Sequence, residues 1–243
     1  MTIRCEVSGD TAALVATVSG RLRLTDATTL RDHLLKCLAE QPDALLVDLS
    51  GLHLDQPLAL SIFTVVLRQA ARWPGVPVVF CAPPPETRRH LTGPCRRLVV
   101  FDSRAAARAH LHDERRVMPS LREDLLPVSG SVRHARDLAT DACLRWDLPG
   151  LVAPASLIAN ELVANVIDHA HTMMTLRMSV RQRHLSIAVQ DGSAAPPVAA
   201  ATGPEHLRGR GLLLVNELAN TWGHLPSNGG KVVWATLDLP RSS

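Results

Sequence analysis

Tyrosine is absent from this chain, and aromatic residues make up only 3% of it, as three Phe and four Trp. A platform that stacks single-stranded nucleic acid needs aromatic faces, so the composition argues against that class of function. Lysine is nearly missing as well. Lys36 and Lys231 are the only two, nearly all positive charge is Arg, and the net charge of +3 is slight for 243 residues. Such a chain has no polybasic character with which to bind nucleic acid or an anionic membrane on charge alone, and no direct nucleic-acid contact is expected. Cys5, Cys37, Cys81, Cys95 and Cys143 are an odd number of scattered thiols without a CxxC pair. They argue against a disulfide framework or a zinc site and read as reduced cysteines of a cytoplasmic protein. The opening MTIRCEVSGD lacks the basic-then-apolar layout of a signal peptide. The apolar run Pro57 to Leu67 is half a membrane span and contains Ser61 and Thr64. No membrane association is expected.

What is present is ordinary globular material, 46% hydrophobic and 20% charged, at a length comfortable for two domains. Halves of ~110–130 residues each bury a core without staples. In the first half, Ala12–Val18, Ala44–Leu49, Val76–Cys81 and Leu98–Phe101 read as strands. Between them Thr25–Glu40, capped by Thr25 or Asp26, then Pro57–Trp73, Pro85–Leu91 and Ser103–His112 read as helices. Strands alternating with helices imply a mainly parallel α/β sheet. The charge-dense HDERRVM breaks the pattern, so the expected division is a domain over 1–112, a linker over 113–118 and a second domain over 119–243. There Ser131–Trp146 and Pro154–His169 read as helices, and Thr175–Val180 and Leu185–Val189 as a hairpin. A Gly/Pro/Ala-rich loop over 192–208, a helix from Leu212 to Ala219 and a last strand Val232–Leu239 complete an α+β sandwich.

The chemistry-bearing stretch is NELVANVIDHA, Asn160–Ala170. Glu161 and Asn165 are i and i+4, and His169 is one further turn along, so a carboxylate, an amide and an imidazole share one stripe. Polar groups on an otherwise apolar helix are costly to bury without partners, although a solvated amphipathic face is the plain alternative. Two later segments weigh against that alternative. In QDGS a strand ends in Asp191 followed by Gly192, where the backbone can pass close to a ligand. In GRGLLLV the long loop enters a helix through Gly209 and Gly211, leaving N–H groups free for phosphate oxygens.

These three elements, in this order, resemble a GHKL-type (Bergerat) ATP-binding domain and, more narrowly, the anti-sigma factor serine kinases of bacterial partner switching. ELVANVIDHA resembles their N box, VQDGS the G1 box, GRGLLLVNELANTWG the G2 box, and GGKVVWATL their last strand. The resemblance implies that Asn165 coordinates Mg²⁺ and that Glu161 is the base for the acceptor hydroxyl. It implies that Asp191 accepts from the adenine amino group, and that Gly192, Gly209, Gly211 and Leu212 complete the ATP site. An Asn amide suits a hard cation that keeps several waters. A carboxylate one turn away suits phosphoryl transfer, where positioning and charge neutralisation dominate. The family's last strand usually begins GGKT; here Val232 follows Lys231, removing a hydroxyl expected near the adenine edge.

The first half resembles a STAS domain, the fold of anti-sigma factor antagonists, through its element order and LLVDLSGLHLDQPLALSIFTVVLRQA. The family's phosphorylated serine follows the loop Asp, whereas here Asp55 is followed by Gln56, Pro57 and Leu58. Gln56 has no hydroxyl to phosphorylate. Three functions compete: a serine-protein kinase and anti-sigma factor acting on a STAS antagonist, a non-catalytic nucleotide-binding regulator or scaffold that sequesters a sigma factor or antagonist, and a general ATPase or histidine-kinase fragment. The kinase family is commonly dimeric, which implies a homodimer.

Overall fold

The most apolar run of the first half becomes the middle of a sheet because both of its faces are covered. In the computed structural model, which describes residues 2–9, 13–91, 98–113, 118–181, 183–197 and 211–240, the chain divides into two compact units, Met1–Arg116 and Val117–Ser243. Unit one contains β1 (Arg4–Gly9), β2 (Leu14–Leu22), α1 (Leu24–Ala39), β3 (Leu45–Leu54), α2 (Ser61–Arg72), β4 (Val78–Cys81), α3 (Pro85–Leu91), β5 (Val100–Phe101) and α4 (Arg104–Asp113). The sheet runs β1-β2-β3-β4-β5; β1 and β2 are antiparallel and the remaining neighbours parallel. Leu45, Leu46, Val47 and Leu49 of β3 are fully buried, as a strand between two helical layers must be. On one face Val15, Leu46, Val79 and Cys81 pack against Ala107 and Leu111 of α4. On the other, Phe80 meets Phe63 of α2 edge to face, with ring centroids 5.0 Å apart.

Three local details differ from the sequence expectation. Strand β1 carries no apolar signal, because five of its six residues are exposed along the sheet's edge. Helix α1 begins one residue early and is capped by Arg23; Asp26 stands at the third position and accepts the Arg23 N–H at 3.3 Å. The helix expected over 57–73 is a short 3₁₀ turn, Pro57–Leu60, followed by α2.

Among the described residues, Asp48 of β3 is the buried charge of this unit. Its Oδ1 accepts the Ser50 N–H at 2.9 Å and its Oδ2 accepts Arg104 Nε–H at 3.0 Å. Burial pushes the carboxyl up, but the Ser50 N–H and the Arg104 guanidinium outweigh it and hold Asp48 below the usual carboxylate range. A carboxyl lowered on folding stabilises the protein fully above its unfolded value near 4, and that contribution fades as pH falls through the folded value. Arg104→Ala is therefore expected to cost about 1–2 kcal/mol at pH 7, the guanidinium being half-exposed and screened. It should also flatten the loss of stability on acidification; urea midpoints of both proteins at pH 7 and pH 3 check this.

Unit two contains β6 (Ser120–Leu125), α5 (Gly130–Arg145), α6 (Val152–Asn165), β7 (Met174–Val180), β8 (His184–Asp191), α7 (Gly211–Leu218), β9 (Thr221–Ser227) and β10 (Gly230–Asp238). Its sheet is antiparallel throughout, in the order β6-β7-β8-β10-β9. One face carries Leu176, Ile187, Val189 and Val233, which pack with Ala139 of α5, Ile158 and Leu162 of α6, and Val215 of α7. The sequence reading misses β6 and β9. Both are edge strands: β6 mixes Arg, Glu and Asp into its run, and β9 holds Gly223 and Pro226, residues that an edge tolerates. The stretch Pro149–Ala170 is long and apolar enough to cross a membrane, with a mean hydropathy of 1.5. Its buried residues, Ala155 through Val166, belong to the core of this unit. Of the linker expected over 113–118, residues 114–117 lie outside the described residues, as do Cys95 and 198–210 of the long loop.

Candidate functional site

Helix α6 ends in a π turn over Val166–Ala170, and His171 then takes a left-handed conformation, φ 54°. Wider turns of this kind gather at functional sites. Glu161 and Asn165 both lie on the α-helical part and are half-buried, whereas His169 falls in the π turn and is exposed. The stripe read from the sequence thus holds for the first two residues, and His169 stands beyond the break in helical period. Asn160 Nδ2–H donates to Glu161 Oε1 at 2.9 Å, fixing one carboxylate oxygen.

The other oxygen faces α7. A Cβ built on Gly211, the first residue of that helix, would lie 2.4 Å from Glu161 Oε2. A side chain there would push the carboxylate away, whereas glycine lets it lie beside the positive end of the helix. Leu212 follows, 4% exposed in the core. Gly209 lies outside the described residues.

Asp191 closes β8, opposite Lys231 on β10 and Met174 on β7. It continues the row of Leu185, Ile187 and Val189 that faces the helices, because side chains alternate along a strand. Lys231 Nζ lies 3.0 Å from Asp191 Oδ1 and 2.9 Å from Oδ2, and donates to the Ser193 carbonyl at 3.3 Å. Both side chains of this ion pair are buried, at 7% and 0% exposure. Ser193 N–H donates to Asp191 Oδ1 at 2.7 Å, closing a tight turn on the acid. Oδ2 is buried and receives no aligned hydrogen bond.

Next to it, Gly192 N–H donates to Thr172 Oγ1 at 2.9 Å, tying the end of β8 to the segment after the π turn. Gly230 is indispensable on the other side: a Cβ there would lie 1.9 Å from the Asp191 carbonyl oxygen. Val232 pairs with Gln190 and therefore points to the opposite face from Asp191. The hydroxyl that Val232 removes therefore lies on the other face from the carboxylate; the side chain that faces Asp191 is Lys231, whose role is not evident from the sequence alone. Its signal was present in the strand alternation, since Lys231 and Asp191 fall in register once β8 and β10 pair.

Residues 128–237 match the family described as histidine kinase-like ATPase domain. Those residues form a histidine kinase-like ATPase domain. The domain implies ATP as ligand. Two solved structures are similar to the N-terminal half. One is an anti-sigma factor antagonist from Mycobacterium paratuberculosis, 25% identical, covering 46% of this chain and 96% of that one, with a TM-score of 0.39. The other is the anti-sigma factor antagonist SpoIIAA in its unphosphorylated form, 12% identical, covering 47% and 100%, with a TM-score of 0.38. No curated protein matches the chain.

The residues of the ATPase domain fit a nucleotide at both ends. Asp191 Oδ2 is a buried acceptor without an aligned donor, which an exocyclic amino group satisfies. Gly211 leaves the start of α7 bare, where a side chain would fill the space against Glu161. Among the described residues no group of three or more His, Cys, Asp or Glu is placed to hold a metal. A cation held by Asn165 would complete its shell with phosphate oxygens and water, as Mg²⁺ does beside nucleotides.

In the first unit, the loop after β3 is tied down by its own side chains. Asp55 pairs with Arg21 at 3.2 Å and Arg23 at 3.3 Å. Gln56 Oε1 accepts the Leu24 N–H at 2.8 Å, satisfying one of the free donors that open α1. A cleft of about 400 Å³ lies beside it, lined by Leu54, Asp55, Pro57, Glu86, Arg89 and His90.

Proposed function

We propose that the chain is an ATP-binding regulator of bacterial transcription by partner switching: a cytoplasmic, homodimeric anti-sigma factor whose second half is a serine-protein kinase toward a STAS antagonist carried on another chain. The observation that carries this reading is the approach of Gly211 to Glu161, which brings a carboxylate and a bare helix start together at one point. In this reading ATP with Mg²⁺, when bound, supplies the transferable phosphoryl group and the charge that neutralises it. Asn165 holds the cation. Gly192, Gly209, Gly211 and Leu212 shape the nucleotide's surroundings, and Asp191 accepts from the adenine amino group. Glu161, held by Asn160 through Oε1, uses Oε2 to orient the antagonist's serine hydroxyl and take its proton, the role that a positioned carboxylate plays in phosphoryl transfer.

Residues 1–112 are not the substrate in this reading. Gln56 offers an amide where the antagonists offer a hydroxyl, and that amide is engaged with α1. The same observation supports a second reading, in which the chain binds nucleotide and sequesters a sigma factor or antagonist without transferring phosphate. Incubating the full chain with labelled ATP and STAS antagonists separates them. The kinase reading expects label on an antagonist serine and none on residues 1–112. Absence of label on every antagonist leaves the non-catalytic reading, and label on residues 1–112 contradicts both.

A further inference from the structure

The least expected feature of the site is the buried cation beside its acidic residue. Lys231 and Asp191 stand opposite each other on adjacent strands, both on the helix-facing side and both shut away from water. Nζ makes aligned bonds to Asp191 Oδ1 and to the Ser193 carbonyl. Ser193 N–H adds a second donor to Oδ1. All the aligned donors therefore converge on one oxygen. Oδ2 keeps the ionic contact with Nζ at 2.9 Å, yet it is buried without an aligned hydrogen bond. Buried polar atoms are rarely left so, and each one calls for an explanation.

We propose that Lys231 is a positioning residue for base recognition: it holds Asp191 as a pure acceptor, with Oδ2 reserved for the amino group of an amino-bearing purine. The inference rests on the ATP reading of this site and deepens it. A carboxylate buried without a counterion takes up a proton, and then presents an O–H that donates as readily as it accepts. Lys231 supplies that counterion at 2.9–3.0 Å, and a carboxylate paired with an ammonium presents only acceptor oxygens. An exocyclic amino group then gains a charge-assisted bond, whereas a carbonyl oxygen at the same place meets another oxygen. Discrimination of this kind is strong because a mismatch leaves buried polar groups unpaired.

Inosine triphosphate, which carries a carbonyl in place of the adenine amino group, is the probe. Calorimetric titration of the full-length chain should show ATP bound about 10–100-fold more tightly than inosine triphosphate, the worth of one hydrogen bond to a charged group. In Lys231→Met, the preference should collapse to within about threefold, because the carboxylate then lacks the ammonium that orients it and matches its charge. A folded Lys231→Met protein that keeps the full preference, or that binds ATP more tightly than the unaltered chain, overturns the proposal. Wild-type protein that binds neither nucleotide overturns the ATP reading itself, and the inference with it. Wild-type protein that binds both equally defeats the inference alone.

A second measurement needs no substitution at the pair. The chain has only two lysines, Lys36 and Lys231, so its ¹⁵N ammonium spectrum is assigned by one Lys36→Arg variant. ATP should move the Lys231 signal and leave it visible, because the ion pair persists around the bound base, and inosine triphosphate should move it less. A Lys231 signal that ATP abolishes, or leaves in place, contradicts the proposed role.

Discussion

Replacing Glu161 by alanine is expected to lower phosphoryl transfer to an antagonist by about 10²–10⁴-fold while leaving ATP affinity within a few-fold of the unaltered chain. The reasoning is geometric. Glu161 lies one helical turn before Asn165, its Oε1 is held by Asn160, and its Oε2 faces the start of α7. A base placed there acts on the acceptor hydroxyl in the transition state and does little for the bound ground state, so the loss belongs in the rate and not in the affinity. Glu161→Gln separates the proton-accepting role from shape, since the amide fills the same space against Gly211 and has no carboxylate to take the proton. Single-turnover transfer and calorimetric ATP titration on all three proteins check the expectation. Equal rates in the three would remove Glu161 from the chemistry.

The second large effect concerns stability. Asp191→Ala should destabilise the second unit by about 3–5 kcal/mol, because it strands the Lys231 ammonium in a place with 7% exposure. Against the 5–15 kcal/mol by which ordinary domains are held, that is a large share. The cost comes from the charge left behind and not from the intrinsic worth of the pair. The double variant Asp191→Ala/Lys231→Met should therefore recover most of the loss, since replacing both members of a buried pair by apolar groups is often near neutral. Urea unfolding of the single and double variants measures the coupling. A double variant no more stable than Asp191→Ala would mean that the pair does not set the stability of this end of the sheet.

Much of the site was legible in the sequence because its parts lie within continuous elements. Glu161 and Asn165 share a helix, so their i, i+4 spacing alone put them on one face. Asp191 ends a strand whose alternation is clean, and Gly211 opens a helix after a Gly-rich loop. The α/β character of the first half was equally plain, since Leu45–Leu49 admits no exposed face. What escaped notice depends on pairing or on local geometry. Lys231 acquires its meaning only when β10 lies beside β8 in a particular register, and one residue of slip would have put Val232 there instead. The π turn at 166–170, which carries His169 out of the stripe, has no compositional mark. Strands β1, β6 and β9 are edges, where one flank is open and charge, glycine or proline is tolerated. At Gln56 the sequence alone shows a lost hydroxyl, and the gain, a bond to the first N–H of α1, emerges only with the fold.

The central claim is that the second half binds ATP through Asn165 and Mg²⁺, and isothermal titration of the full-length chain with ATP tests it most directly. The account predicts saturable binding in the presence of Mg²⁺, weakened by chelation of the metal and by Asn165→Ala. Heat that is indistinguishable from dilution at millimolar ATP, or binding that neither chelation nor Asn165→Ala changes, would contradict it.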